Sequence, residues 1–130
     1  MLIITIRTDK PEAEVGLYED HSRLAYKIWH AHRELSVTLH QKILDVLSSQ
    51  SKGLSDIKAI AAFAGPGSFT GLRIGLTVAD TLAYAERIPV VATTGEDWIE
   101  QAITRLLAGE NETIALPQYG APANITVQKK

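Results

Sequence analysis

Residues 65–75 read GPGSFTGLRIG and place four glycines between an apolar segment and a helical one. The preceding residues 57–63 are almost wholly apolar, which is typical of a strand covered on both faces of a sheet. The following residues 70–86 have the periodicity of a helix. A loop this rich in glycine lets the backbone approach a neighbouring group closely. The identity of that group therefore decides what the loop does.

The rest of the chain predicts strands and helices in the order βββαβαβα. Strands are predicted at residues 2–7, 13–19, 23–30, 57–63 and 88–92. Helices are predicted at residues 34–49 and 70–86. A third helix is predicted between Thr94 and Gly109, with Thr94 as its cap in a capping box with Asp97. Residues 114–116 are a candidate for one more short strand. This order predicts an α/β fold, a mixed five-stranded sheet with helices packed on it.

Composition excludes several classes of protein. The 130 residues are 45% hydrophobic and 22% charged with a net charge of -2, as in one globular domain. The chain has no run of 18 apolar residues and no basic leader with a cleavage site, so we expect a cytoplasmic protein. The absence of cysteine excludes disulfides and a thiol nucleophile. The balanced charge disfavours a chain that binds nucleic acid unaided.

The glycine loop has two interpretations. The first-turn N–H groups and the dipole of a helix favour an anion, so the loop is a candidate phosphate site. Its residues would be Gly65, Gly67, Ser68, Thr70 and Arg73. The loop lacks the Gly-Lys-Ser/Thr of a Walker A motif and the spacing of a dinucleotide-binding fingerprint. In the alternative, the glycines form a sharp turn and Ser68 or Thr70 caps the helix.

Small residues recur along one side of the helix that follows. Gly71, Gly75, Ala79 and Ala83 are spaced four residues apart and form a ridge that another backbone can approach. The ridge packs either on the chain's own sheet or on a second protein, since a glycine inside a helix needs such a reason. For the second case, the candidate interface comprises Gly71, Leu72, Gly75, Leu76, Ala79, Ala83, Leu39 and Ile43.

Other polar residues are weaker candidates. His30 and His32 share a face if they lie in a strand, but no third metal ligand is close, so we predict no metal site. Ser68 lacks the context of a nucleophile elbow, and we expect it to cap the helix. Glu96, Asp97 and Glu100 lie where negative charge stabilises a helix N-terminus.

The string GPGSFTGLRIG, followed by an Ala-rich helix and IPVV, resembles the signature of the TsaB (YeaZ) family, and HREL at residues 32–35 is similar to a second family motif. The resemblance covers residues 1 to about 108. It implies an actin/Hsp70-like (ribonuclease H-like) fold and a role in forming threonylcarbamoyladenosine at position 37 of tRNAs that read codons beginning with A. It further implies a non-catalytic scaffold without a cofactor. The scaffold would pair through helices with a TsaD-like catalytic subunit beside a TsaE-like ATPase, contact tRNA only indirectly and form a homodimer when alone.

The chain departs from the family pattern at two places. Arg7-Thr8-Asp9 stands where the family's first strand ends in Asp-Thr-Ser, and an arginine cannot ligate a cation. The resemblance also divides the chain into a first domain at residues 1–109 and a short tail at residues 110–130, with the family's second domain absent. Both departures disfavour the alternative function, a small nucleotide-binding or ATP-hydrolysing domain that uses the glycine loop.

Overall fold

The computed structural model describes residues 1–31, 35–67 and 69–117 of the chain. The elements among them follow the predicted order βββαβαβα, with a short 3-10 turn at Leu54–Asp56 before β4. They are β1 (Leu2–Arg7), β2 (Glu12–Glu19), β3 (Ser22–His30), α1 (Leu35–Ser48), β4 (Ala59–Gly65), α2 (Phe69–Glu86), β5 (Val90–Thr94) and α3 (Trp98–Leu107). The predicted α/β fold with a mixed five-stranded sheet is confirmed.

The five strands form one sheet in the order β3-β2-β1-β4-β5. The strands β1, β2 and β3 pair antiparallel, whereas β1, β4 and β5 run parallel. Parallel strands end at the same edge of a sheet, so the residues that follow β1, β4 and β5 meet there. The glycine loop follows β4 and therefore lies beside the end of β1.

Helices cover the sheet on both faces. Alternate residues of β1 point to opposite sides, so Ile4 packs in the core beneath α1 and α2, whereas Ile3 packs in the core beneath α3. The strand β4 is buried along its whole length, because both of these cores contact it. Its continuous apolar sequence is explained by this double coverage.

Four predicted boundaries differ from the structure by two residues. The strands β4 and β5 each begin and end two residues later than predicted, so β5 extends to Thr94. Because Thr94 ends a strand, it is not the cap of α3, and the prediction of that cap is wrong. Asp97 occupies the N-cap position, but its side chain makes no cap hydrogen bond. Its carboxylate instead accepts a hydrogen bond from Gln101.

The chain after α3 returns to the domain. Residues 114–116 do not form the predicted strand. The N–H of Ala115 donates to Oδ1 of Asp80 on α2 at 2.8 Å, and Ala115 is buried in the core beneath α1 and α2. Residues 118–130 lie outside the described residues. The predicted division of the chain after Gly109 therefore stays a prediction.

None of the helices in the described part of the chain has the length and apolar character needed to cross a membrane.

Candidate functional site

The end of β1 contacts the first turns of α2. The hydroxyl of Thr8, which follows β1 directly, donates a hydrogen bond to the carbonyl of Gly71 at 2.6 Å. A Cβ on Gly71 would overlap the carbonyl oxygen of Thr8, and a Cβ on Gly75 would overlap its hydroxyl. The glycines therefore allow α2 to lie directly against β1, and this packing explains why two of them occur in the helix.

The predicted partner interface lies inside the domain. Gly71 and Gly75 pack on Thr8. The other six residues are buried among the chain's own strands and helices: Leu72, Leu76, Ala79, Ala83, Leu39 and Ile43. The sequence left two interpretations of the ridge open. In the structure, the ridge packs on the chain's own sheet. These residues do not present a surface to a second protein in this structure.

The glycine loop packs on a carboxylate. Gly65 has a φ of 107°, a conformation that side-chain-bearing residues rarely adopt, and starts the turn out of β4. Gly67 lies so close to Asp9 that an added Cβ would be 2.8 Å from its Oδ2. A phosphate at this point would approach a negative charge, which costs energy in a partly buried site. This proximity disfavours the loop as an anion site.

Two more of the candidate phosphate residues lie at the exposed surface of α2. Thr70 and Arg73 are exposed and line a groove between α1 and α2. Ser68 lies outside the described residues, so its predicted capping role stays a prediction.

Arg7 forms an ion pair with the carboxylate beneath the loop. Its Nε donates to Oδ1 of Asp9 at 2.7 Å, and its Nη2 donates to Oδ2 at 3.3 Å. The Asp9 side chain is only 6% exposed. The guanidinium also lies 3.9 Å from the ring centroid of Phe63, whose ring meets Trp98 edge to face. The end of β1 thus carries an internal ion pair at the place where the family pattern has an aspartate.

A polar cluster on β2 and β3 extends from this ion pair. Glu14 accepts hydrogen bonds from the Tyr26 hydroxyl and from Lys10. Burial would raise the pKa of Glu14, but these two donors and the charge of Arg7 hold it below its ordinary value. Burial and the Glu14 carboxylate both raise the pKa of Tyr26. These residues therefore keep fixed protonation states near neutral pH and are poorly suited to general acid or base catalysis.

A groove between α1 and α2 is the feature that the sequence analysis missed. It encloses a cavity of about 380 Å³ lined by Ser36, Thr70, Arg73, Ile74, Thr77 and Val78. A second cavity of about 290 Å³ shares Ser36, Thr77 and Val78 and continues toward Leu82 and Ala85. The two helices therefore present a continuous, largely apolar outer surface.

This outer surface has a sequence signal of its own. Ile74, Val78 and Leu82 are spaced four residues apart on α2 and are half-buried, so they form a second apolar stripe beside the glycine ridge. The α2 residues predicted for the partner interface lie on the other face of that helix, which is buried against the sheet. The spacing of Ile74, Val78 and Leu82 was the signal that could have found the exposed one.

The described residues contain no group of three His, Asp or Glu side chains that could hold a metal ion. His30 lies on β3 within 3.7 Å of Glu12. His32, its predicted neighbour, lies outside the part of the chain that the structure describes.

Comparisons with known proteins agree on one family. The family model described as TsaD, tRNA N6-adenosine threonylcarbamoyltransferase, matches residues 29–103. The Escherichia coli (strain K12) tRNA threonylcarbamoyladenosine biosynthesis protein TsaB is 34% identical over 119 residues, which cover 83% of this chain and 49% of that protein. The structure of YeaZ from Pseudomonas aeruginosa superposes with a TM-score of 0.64 at 29% identity, covering 77% of this chain and 49% of that one.

A more distant structure agrees in fold alone. Thermus thermophilus RuvC gives a TM-score of 0.53 at 13% identity and covers 95% of this chain and 86% of that one. RuvC and YeaZ share the actin/Hsp70-like (ribonuclease H-like) fold, so that fold class is confirmed for this chain. The chain spans about half the length of the curated relatives it matches.

Proposed function

Since the chain belongs to the TsaB/YeaZ family, we propose that it is a non-catalytic scaffold subunit in the formation of threonylcarbamoyladenosine at position 37 of tRNAs that read codons beginning with A. Its task in this proposal is to bind a TsaD-like subunit, which transfers the threonylcarbamoyl group. The observation that carries the proposal is the exposed apolar groove between α1 and α2.

The groove has the properties of a helix-pairing surface. Ile74 and Val78 line it, and Thr77 stands exposed between them. Two antiparallel helices of a partner would bury this stripe in a four-helix arrangement, in which apolar and small residues pack at the crossing. The glycine ridge supports this surface from behind, because it holds α2 against β1.

The non-catalytic part of the proposal rests on the end of β1. Arg7 occupies the position of the family's aspartate, and Asp9 is already paired with it. Arg7 has no carboxylate, and the carboxylate of Asp9 is already bound to Arg7, so neither residue is suited to ligate a metal ion. The scaffold would therefore act by holding its partner in an active arrangement and would contact tRNA only through the complex.

Two further partners follow from the same proposal. A TsaE-like ATPase works in the same complex, and the α1–α2 groove pairs two copies of this chain when the TsaD-like subunit is absent. The homodimer and the heterodimer with the TsaD-like subunit would use the same groove, so the two compete for it.

The proposal is tested by placing a charge in the groove. Thr77→Glu changes an exposed residue, so the fold is retained, while a carboxylate enters the centre of the apolar surface. We expect co-elution with the TsaD-like subunit of the same organism to be lost, with a binding penalty of at least about 2 kcal/mol.

Thr104→Glu is the matched control, because Thr104 is also exposed but lies on α3 at the opposite face of the sheet. Its co-elution should match that of the wild-type chain. Unchanged binding by Thr77→Glu would contradict the groove as the interface. Equal loss in both variants would show that charge alone, and not its position, is responsible.

A further inference from the structure

The strand β5 forms one edge of the sheet, and all of its residues except Ala92 are β-branched. Such a sequence has a high preference for extended structure. An edge strand of this kind presents a row of N–H and C=O groups to which another strand can add. The groups of Val90 and Ala92 point away from β4, since Val91 and Thr93 face it.

Side chains and one backbone amide from nearby segments satisfy these outward groups. The N–H of Val90 donates to Oδ1 of Asn111 at 3.2 Å, and its C=O accepts from the N–H of Glu112 at 2.9 Å. The N–H of Ala92 donates to Oε1 of Glu112 at 2.9 Å, and its C=O accepts from Nη1 of Arg105 at 3.5 Å. Residues 110–115, here called the strap, therefore occupy the positions of an added strand.

The strap is fastened at both ends. At its start, Arg105 of α3 donates to Glu110 at 2.7 Å and to Glu112 at 3.0 Å. At its end, Ala115 is 2% exposed and its N–H donates to Asp80 of α2. The backbone hydrogen bond from Glu112 to Val90 is the one bond of a β ladder described between the strap and β5. The other outward groups of Val90 and Ala92 are bonded to side chains.

The opposite edge is protected in a different way. The strand β3 carries the exposed charges Arg23 and Lys27, and a register shift interrupts its pairing with β2 between Leu17 and Tyr18. Charges and bulges discourage strand addition. The strand β5 has no charged residue, and in the part of the chain that the structure describes the strap covers it.

We propose that the strap is a removable cover that prevents β5 from pairing with β5 of a second copy of this chain. When the strap is displaced, the outward groups of Val90 and Ala92 become available, and two β5 strands pair antiparallel about a two-fold axis. This proposal does not depend on the α1–α2 groove, which lies at a different surface.

The test removes the strap's two capping side chains with Asn111→Ala/Glu112→Ala. The control is Glu96→Ala, which removes one exposed carboxylate outside both β5 and the strap. All variants carry Thr77→Glu, so that pairing through the groove does not mask the result. Amide hydrogen exchange of Val90 and Ala92 is measured by NMR, and molar mass by light scattering over a range of concentrations.

At concentrations at which the double variant is monomeric, we expect exchange at Val90 and Ala92 to rise by about tenfold or more, and to slow again as the dimer forms; in the control it should stay at the starting rate. The molar mass of the double variant should rise toward that of a dimer with concentration. Faster exchange with an unchanged molar mass would overturn the proposal, and so would unchanged exchange.

Asp80→Ala provides a second route if the double variant is poorly folded. It releases the far end of the strap at Ala115 without touching the capping side chains. The same two measurements then apply, and a folded variant with mobile strap amides that remains monomeric at all concentrations overturns the proposal.

Discussion

Thr8 and Gly71 are joined by a 2.6 Å hydrogen bond, from the hydroxyl of Thr8 at the end of β1 to the backbone carbonyl in the first turn of α2. The same hydroxyl lies against Gly75 one turn later. One threonine therefore contacts both glycines of the helix. The two helical glycines in the sequence are explained by this contact within the domain, without a second protein.

Gly75→Ala is expected to destabilise the fold. Alanine is preferred over glycine inside a helix by about 1 kcal/mol. The added methyl group would overlap the Thr8 hydroxyl, and overpacking of this kind costs about 1–3 kcal/mol. Thr8 cannot turn away easily, because it is β-branched and its hydroxyl is bonded to Gly71. Urea unfolding should therefore show a net loss of stability.

The double variant Thr8→Ala/Gly75→Ala is the decisive control. It removes the overlapping atoms, so its loss in free energy of unfolding should be smaller than the sum of the losses of the two single variants. Gly53→Ala is a second control, because its added Cβ would be 4.0 Å from the nearest atom, Oδ2 of Asp56. Additive losses in the double variant would contradict the clash.

The elements of the fold could be predicted because their signals are local. The spacing of apolar residues gave β1 and α2 to within a residue at each end. The ridge of small residues was visible for the same reason. Its partner was not, since Thr8 lies 63 positions away from Gly71 along the chain and no periodicity connects them.

The choice between the two apolar faces of α2 also required the structure. Leu76 and Val78 are both apolar and two residues apart, yet only Leu76 is fully buried. Which stripe faces the sheet depends on how α2 is rotated, and Thr8 and the glycines set that rotation. The side chains that cover β5 have no sequence signal, because Asn111 and Glu112 act through single hydrogen bonds to distant backbone.

Arg7→Ala is expected to lower the free energy of unfolding by about 2 kcal/mol, because it leaves the nearly buried Asp9 carboxylate without its charged donor. Loss of the stacking on Phe63 adds to the effect. The variant Arg7→Ala/Asp9→Asn should recover part of the loss, since a neutral amide is less costly to bury. Equal stability of the wild-type chain and Arg7→Ala in urea would show that the ion pair does not stabilise the fold.

The glycine loop is expected not to bind nucleotide. Calorimetric titration with ATP and magnesium should give no binding heat at ligand concentrations up to about 1 mM. The reason is the Asp9 carboxylate beside Gly67, which would repel the phosphates. Binding by the wild-type chain, and tighter binding by Asp9→Asn, would instead favour the nucleotide-binding alternative.

Asp80 makes the stability of the fold depend on pH. Burial raises its pKa above the ordinary 3.8, although the hydrogen bond from Ala115 opposes the shift and Glu112 adds to it. When the pKa of a carboxyl is higher in the folded state than in the unfolded state, its protonation stabilises the fold. Its stabilising contribution is therefore complete below the unfolded pKa and is lost as the pH rises through the folded value.

Asp80→Asn removes this titration and keeps an oxygen that can accept the hydrogen bond from Ala115. The free energy of unfolding of the variant minus that of the wild-type chain should therefore be larger at about pH 7 than at about pH 3. Urea unfolding at both values measures it. Asp80→Ala, which loses the acceptor as well, should be less stable than Asp80→Asn at both. A difference between wild type and Asp80→Asn that does not change with pH would mean that the carboxyl titrates alike in both states. The strap would then be held by the geometry of the Ala115 contact and not by the charge of Asp80.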